Sequence, residues 1–203
     1  MHYRWMAVVT ILTAVMAGGT ARADDAANAE AFAKRMFAGK VASKGKSYVC
    51  FARRYDAAHL RQHPQQKVTA MKLLVSAGMV PEDRALNYSF ALGVKFRDRK
   101  GNFDTMGSCG HPTAEQESAD KLVLGCGVDC DGGGLQIEVA NADKSVIVRL
   151  DRVAIWKSDK PDDERDSLEA GADDKAFRLD RVAMDECKPL MPKGDDLAAL
   201  EQK

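Results

Sequence analysis

The chain has 203 residues, with 30 basic and 30 acidic side chains, so its formal charge at neutral pH is zero. Nothing in that balance suggests a nucleic-acid surface. The length suits one domain of ordinary size with room for a proper hydrophobic core.

The chain opens with His2 and Arg4, an apolar run from Trp5 to Gly19, and then Thr20-Ala21-Arg22-Ala23. A basic start, a short apolar stretch and a small-x-small site predict a cleavable secretory signal over residues 1–23, cut after Ala23. A membrane-spanning helix needs about 20 apolar residues, and this run ends too early. The first cysteine, Cys50, is far from the cut, so no lipid anchor is expected and no transmembrane segment remains in the mature chain. The expected location is periplasmic or secreted. Removing Arg4 and Arg22, with no acid, leaves a formal charge near −2. An oxidising compartment favours pairing Cys50, Cys109, Cys126, Cys130 and Cys187 into two bridges and one leftover thiol. Each bridge is worth about 2–4 kcal/mol. Which cysteines pair stays open.

Residues 24–46 read as an N-terminal helical segment, with Phe32, Met36 and Phe37 at helical spacing within Ala29–Ala38 and a stop near Gly39. From Ser47 to Cys187 the grammar is period two, the mark of a single β domain. Leu86, Tyr88, Phe90, Leu92, Val94 and Phe96 alternate with smaller or polar residues, which predicts a half-buried strand. Turn residues Asp98–Asn102 follow, and Phe103–Cys109 returns as the hairpin partner. A second hairpin is predicted from Leu135–Ala140 and Ser145–Leu150. Further strands are predicted at Tyr48–Arg53, Val68–Ser76, Leu122–Cys126, Arg152–Trp156 and Phe177–Met184. The predicted fold class is therefore all-β: an antiparallel barrel or sandwich of about eight short strands with a short N-terminal helix. Glycines in or beside strands, at 93, 107, 125 and 127, favour the curved or closed form. The acidic stretch 158–175 reads as a solvated loop and residues 188–203 as a loose tail. The hexapeptide Arg-Leu-Asp-Arg-Val-Ala occurs at both 149–154 and 178–183, which is better read as coincidence than as a repeat architecture.

One segment concentrates chemistry-bearing side chains: Arg53, Arg54, Tyr55, His59 and His63, with Asp56 placed to cap a short helix. Histidines at i and i+4 share a helix face and hold a metal only if a third ligand joins them. The arginines suit a carboxylate or phosphate. The structural reading, a polar helical turn closing one end of the sheet with Leu60 as its plug, is preferred because no Glu or third His accompanies the pair. Cys109, His111, Cys126 and Cys130 carry zinc-ligand residue types, but in an exported chain the same cysteines are expected to bridge. Asp129 and Asp131 before three glycines lack the further ligands of a calcium loop. There is no haem-attachment motif, no Cys-x-x-Cys and no Gly-x-Ser-x-Gly, so no cofactor is called for. The function expected is non-catalytic binding of a small molecule or an envelope protein. The alternative is a metal-binding protein or enzyme using the Arg53–His63 segment and His111, with Arg53, Arg54, Tyr55, His59, His63 and His111 as candidate ligand-binding residues.

Overall fold

A computed structural model describes residues 29–41, 45–80, 85–112, 122–160 and 165–192, with Asp151 described by its backbone only. The predicted signal peptide, segment 161–164 and residues 193–203 of the predicted tail lie outside the described residues. Helix α1 covers residues 29–36. Among the described residues nine strands follow: β1 (Lys46–Arg54), β2 (Val68–Val80), β3 (Ala85–Phe96), β4 (Phe103–Gly110), β5 (Val123–Gly127), β6 (Gly133–Ala140), β7 (Ser145–Lys157), β8 (Asp166–Glu169) and β9 (Ala176–Val182). Helix α2 (Ala57–Gln62) joins β1 to β2, and a 3-10 helix, Met184–Leu190, follows β9.

The predicted all-β architecture is what forms, as one antiparallel sheet in a ring. Strands pair in the order β6-β5-β4-β3-β2-β1-β9-β7, and β6 pairs again with β7, which closes the circle. It is not a clean barrel. The long β7 pairs with β6 and β9 through its first half, then diverges to pair with β8 and, through Trp156 and Lys157, with β4. This one strand absorbs two predicted ones, Ser145–Leu150 and Arg152–Trp156. The two hexapeptide copies sit on the paired strands β7 and β9, but Arg178 faces Ile147 and Arg149 faces Ala176, so they are not equivalent in the sheet.

Both predicted hairpins form. Along β3, Tyr88, Phe90, Leu92, Val94 and Phe96 are buried while their neighbours are not. Strand β2 departs from alternation: Leu73, Leu74 and Val75 are all buried. The reason is a second layer. Leu73 and Val75 face the ring interior, whereas Leu74 lies outside it beneath the 3-10 helix, packed with Cys50, Cys187, Leu190 and Met191. A strand covered on both faces reads as a continuous apolar run.

The interior is filled. Phe51, Met71, Leu92, Leu124, Ile137, Phe177 and Leu179 are each essentially inaccessible to solvent, and burying a side chain of this size is worth about 1.5–3 kcal/mol. Among the described residues, side chains of this size occupy the ring interior, as in small barrels whose lumen is filled by side chains.

Helix α1 closes one end of the ring. Phe32 and Met36 are fully buried and Phe37 nearly so, and Phe32 meets the edges of Tyr88 and His111. The backbone turns after the helix with Ala38 and Gly39 at positive φ, and Gly39 N donates to Lys34 O at 2.7 Å, a C-terminal cap of the expected type. Arg181 on β9 pins the helix end. Its guanidinium donates to the carbonyls of Met36 and Arg35 and to Asp143 O, and lies over the Phe51 ring. Arg181→Met is expected to free α1 and lower stability by about 2–3 kcal/mol, from the lost charge-assisted hydrogen bonds and the orphaned carbonyls. Amide hydrogen exchange checks it: residues 32–37 should lose protection while β2 and β3 keep theirs.

The stretch 158–175 is not all solvated loop. Leu168 on β8 is fully buried, as is Asp174, whose carboxylate accepts from Lys67 N at 2.7 Å and Val68 N at 3.3 Å. The start of the predicted loose tail is likewise packed, since Leu190 and Met191 are buried.

Candidate functional site

The Arg53–His63 segment folds as its local chemistry dictates. Asp56 caps α2 by accepting from His59 N at 2.8 Å, and this hydrogen bond leads the causes that hold its carboxyl below the usual range. Three rings then stack: Tyr55 and His59 with centroids 4.7 Å apart, His59 and His63 at 4.4 Å. Polar neighbours lie beside the two imidazoles. His59 Nε2 lies 2.9 Å from Gln66 Oε1, and the buried Gln66 donates onward to Val68 O. His63 Nδ1 is 3.9 Å from Asp173. Arg53 pairs with Asp180 at 3.0 Å and Arg54 with Glu186 at 3.4 Å. Burial, opposed by Arg53, pushes the Tyr55 hydroxyl up to about 12, so it stays protonated at physiological pH. The segment closes the second end of the ring, as the structural reading predicts. The plug differs from the predicted one: α2 buries no residue fully, Leu60 included, and Tyr55 packs on the core instead.

His111 does not join this group. It sits against Phe32 and Tyr88, beside the start of β3, whereas α2 is tied to Arg97 just past the end of β3, through the Leu60 carbonyl. Nine residues of strand separate Tyr88 from Arg97, about 30 Å. His111 and the His59–His63 pair thus lie toward opposite ends of β3 and do not form one cluster among the described residues. The cysteines bridge, as expected of an exported chain. Cys109 and Cys126 face each other across β4 and β5 and form a disulfide, Cys50 bridges to Cys187, and Cys130 is left free and exposed. Two bridges suggest an oxidising, extracytoplasmic environment. Among the described residues, no helix is long and apolar enough to cross a membrane.

A concave site lies elsewhere, on the outer face of β1–β4 beside the 3-10 helix: a cleft of about 420 Å³. Strand register builds its floor. Ala52, Lys72, Gly93 and Asp104 stand in one row across the four strands, and Arg54, Ala70 and Lys95 in the next. Pro189 and Leu190 form a wall. Gly93 lets the wall sit close, since a Cβ there would come within 3.0 Å of Leu190 Cδ2. The wall is fastened by the Cys50–Cys187 bridge and by Glu186, which takes Lys72 at 2.9 Å as well as Arg54. Lys72, and then Arg54, hold the Glu186 carboxyl below the usual range.

Four cations, Arg53, Arg54, Lys72 and Lys95, line this cleft against one carboxylate, Asp104. Of the predicted site residues it takes in Arg53 and Arg54, and it adds Lys72, Lys95 and Asp104, which the sequence did not single out. Half-burial raises the Asp104 carboxyl above its ordinary value, opposed only by a hydrogen bond from Ser158. An acid with a raised folded-state pKa binds its proton more tightly when folded, so its ionisation costs stability above the raised value and nothing below the ordinary carboxylate range. Asp104→Asn is thus expected to raise the melting temperature at pH 7 by a small amount, a gain that fades toward pH 3. Thermal melts of both proteins across that range test it, and a loss at pH 7 would contradict it. A residue that costs stability at the mouth of a cleft suits a binding role.

No family model, no curated protein and no solved structure matches this chain.

Proposed function

We propose that this is a periplasmic, non-catalytic binding protein that takes a small molecule in the outer cleft beside the 3-10 helix. The observation that carries this reading is the contrast between a ring packed solid with large side chains and an outer face with a cleft of about 420 Å³, within the size range of small-molecule sites. Its mixed lining of cations, one carboxylate and small apolar residues suits recognition of a polar ligand with an apolar body. The signal-like N-terminus and the two bridges support the compartment. The stacked imidazoles, the Asp56 cap and the His59–Gln66 hydrogen bond suit a structural role for that end of the ring.

Ala70 lies on the cleft floor between Arg54 and Lys95, so Ala70→Trp fills the cleft from outside the core. Native mass spectrometry of protein purified from the periplasm is expected to show a bound small molecule in the wild type and none in Ala70→Trp, with matching circular dichroism. A ligand carried equally by both proteins, or by neither, would remove this reading.

A further inference from the structure

The fold leaves two opposite charges in the cleft without ionic partners. The Lys95 ammonium has no ion pair among the described residues, and Asp104, half-buried, is held only by the Ser158 hydroxyl. Gly93 faces Asp104 across β3 and β4, which makes Lys95 and Asp104 diagonal neighbours on one face, their backbones about 7–8 Å apart. Across Ala70 from Lys95 stands Arg54, which must share the single Glu186 carboxylate with Lys72. Between the two uncompensated charges Gly93 brings no side chain of its own, and Leu190 packs over it as an apolar wall, its Cδ2 3.0 Å from where a Cβ would stand.

The geometry points to a small zwitterion, an α-amino acid, as the ligand: its carboxylate on Lys95 and Arg54, its ammonium on Asp104, its side chain against Leu190. This rests on the reading of the cleft as the binding site. An α-amino acid carries its two charges on adjacent carbons, so both fit between diagonal neighbours of a strand pair. A simple anion of the same size would meet the Asp104 carboxylate at close range, and a simple cation would meet Lys95 and Arg54. Either wrong choice leaves a partly desolvated charge unpaired, which discriminates more sharply than a missing apolar contact. The surplus of cations on the lining draws the carboxylate end in first.

The test is isothermal titration of the full mature protein with each of the twenty L-amino acids, followed for the tightest by its N-acetyl derivative, which lacks the cation, and its amide, which lacks the anion. The expected result is saturable binding of at least one amino acid, weakened tenfold or more in each derivative. Asp104→Asn should weaken the amino acid to the same extent and tighten the N-acetyl derivative, whose carboxylate no longer meets a like charge, and Lys95→Met should do the same with respect to the amide. Near-ultraviolet circular dichroism verifies that both variants fold, and Asp104→Glu, which restores the charge, should recover part of the affinity. Equal binding of amino acid and N-acetyl derivative, or an unaltered affinity in folded Asp104→Asn, overturns the zwitterion. So does the failure of all twenty amino acids. If Ala70→Trp still releases some other bound molecule, the cleft reading survives that failure. If no ligand depends on Ala70, both fall together.

Discussion

Replacing Cys50 and Cys187 together by alanine is expected to lower stability by about 5 kcal/mol, against about 3 kcal/mol for the Cys109 and Cys126 pair. The difference follows from the lengths of chain closed, 137 residues in one case and 17 in the other, because a longer loop loses more freedom in the unfolded chain. The long bridge also fastens the 3-10 helix over Leu74, and that helix is the wall of the cleft. Both cysteines are buried, at 1% and 0% exposure, and alanine leaves a small cavity where the sulfur atoms were. Urea titrations with linear extrapolation separate the two double variants. Equal losses would mean that the 3-10 helix is held by its packing and by Glu186 rather than by the bridge. Loss of the long bridge should in addition loosen the cleft, so ligand affinity should fall in this variant and stay intact in the other.

The second large effect is expected at Gly133, the first residue of β6. Its φ of +76° is a conformation that L side chains resist, and a Cβ built there would sit 2.0 Å from the carbonyl oxygen of Arg152. Left-handed strain costs roughly 1–2 kcal/mol and forced overpacking about 1–3 kcal/mol, so Gly133→Ala should lose about 3 kcal/mol or more. Gly39 provides the control. Its φ is +75°, yet nothing lies within 4 Å of the added atom, so Gly39→Ala should show the strain alone, about 1 kcal/mol. The gap between the two measures how closely β6 must approach β7 where the register shifts between Gly133 and Leu135. That shift lies where β7 begins to leave β6 for β8, the feature that makes the sheet a ring rather than a regular barrel. Matching losses at the two glycines would show that the β6–β7 approach is free to open.

The same strands explain why the cleft is on the outside. Among the described residues, the ring interior is lined by fully buried side chains such as Phe51, Phe177 and Ile137. The cleft uses outward-facing positions, where Ala52, Ala70 and Gly93 keep the floor low between charged neighbours. Larger residues at those three positions would bring the sheet face flush with the tips of Arg54 and Lys72.

Much of the fold was legible along the chain because strand and helix periodicity are local. The alternation from Leu86 to Phe96 specified both the strand and its buried face, Phe32, Met36 and Phe37 marked the helix that closes the ring, and Asp56 announced its cap on α2. Five cysteines implied two bridges and one free thiol, and two bridges form. The partners were not legible, because pairing Cys50 with Cys187 requires knowing that the end of the chain returns over β1. Nor was the separation of His111 from His59 and His63, since proximity in space depends on which end of a strand each loop leaves. The cleft was least visible of all. Period two tells which face a side chain takes, but register tells which residues stand beside it. Lys72, Gly93 and Asp104 are distant in sequence and meet only because β2, β3 and β4 align as they do. Local pattern thus determined the elements and their buried faces, while tertiary register and packing alone decided the disulfide partners, the ring and the site.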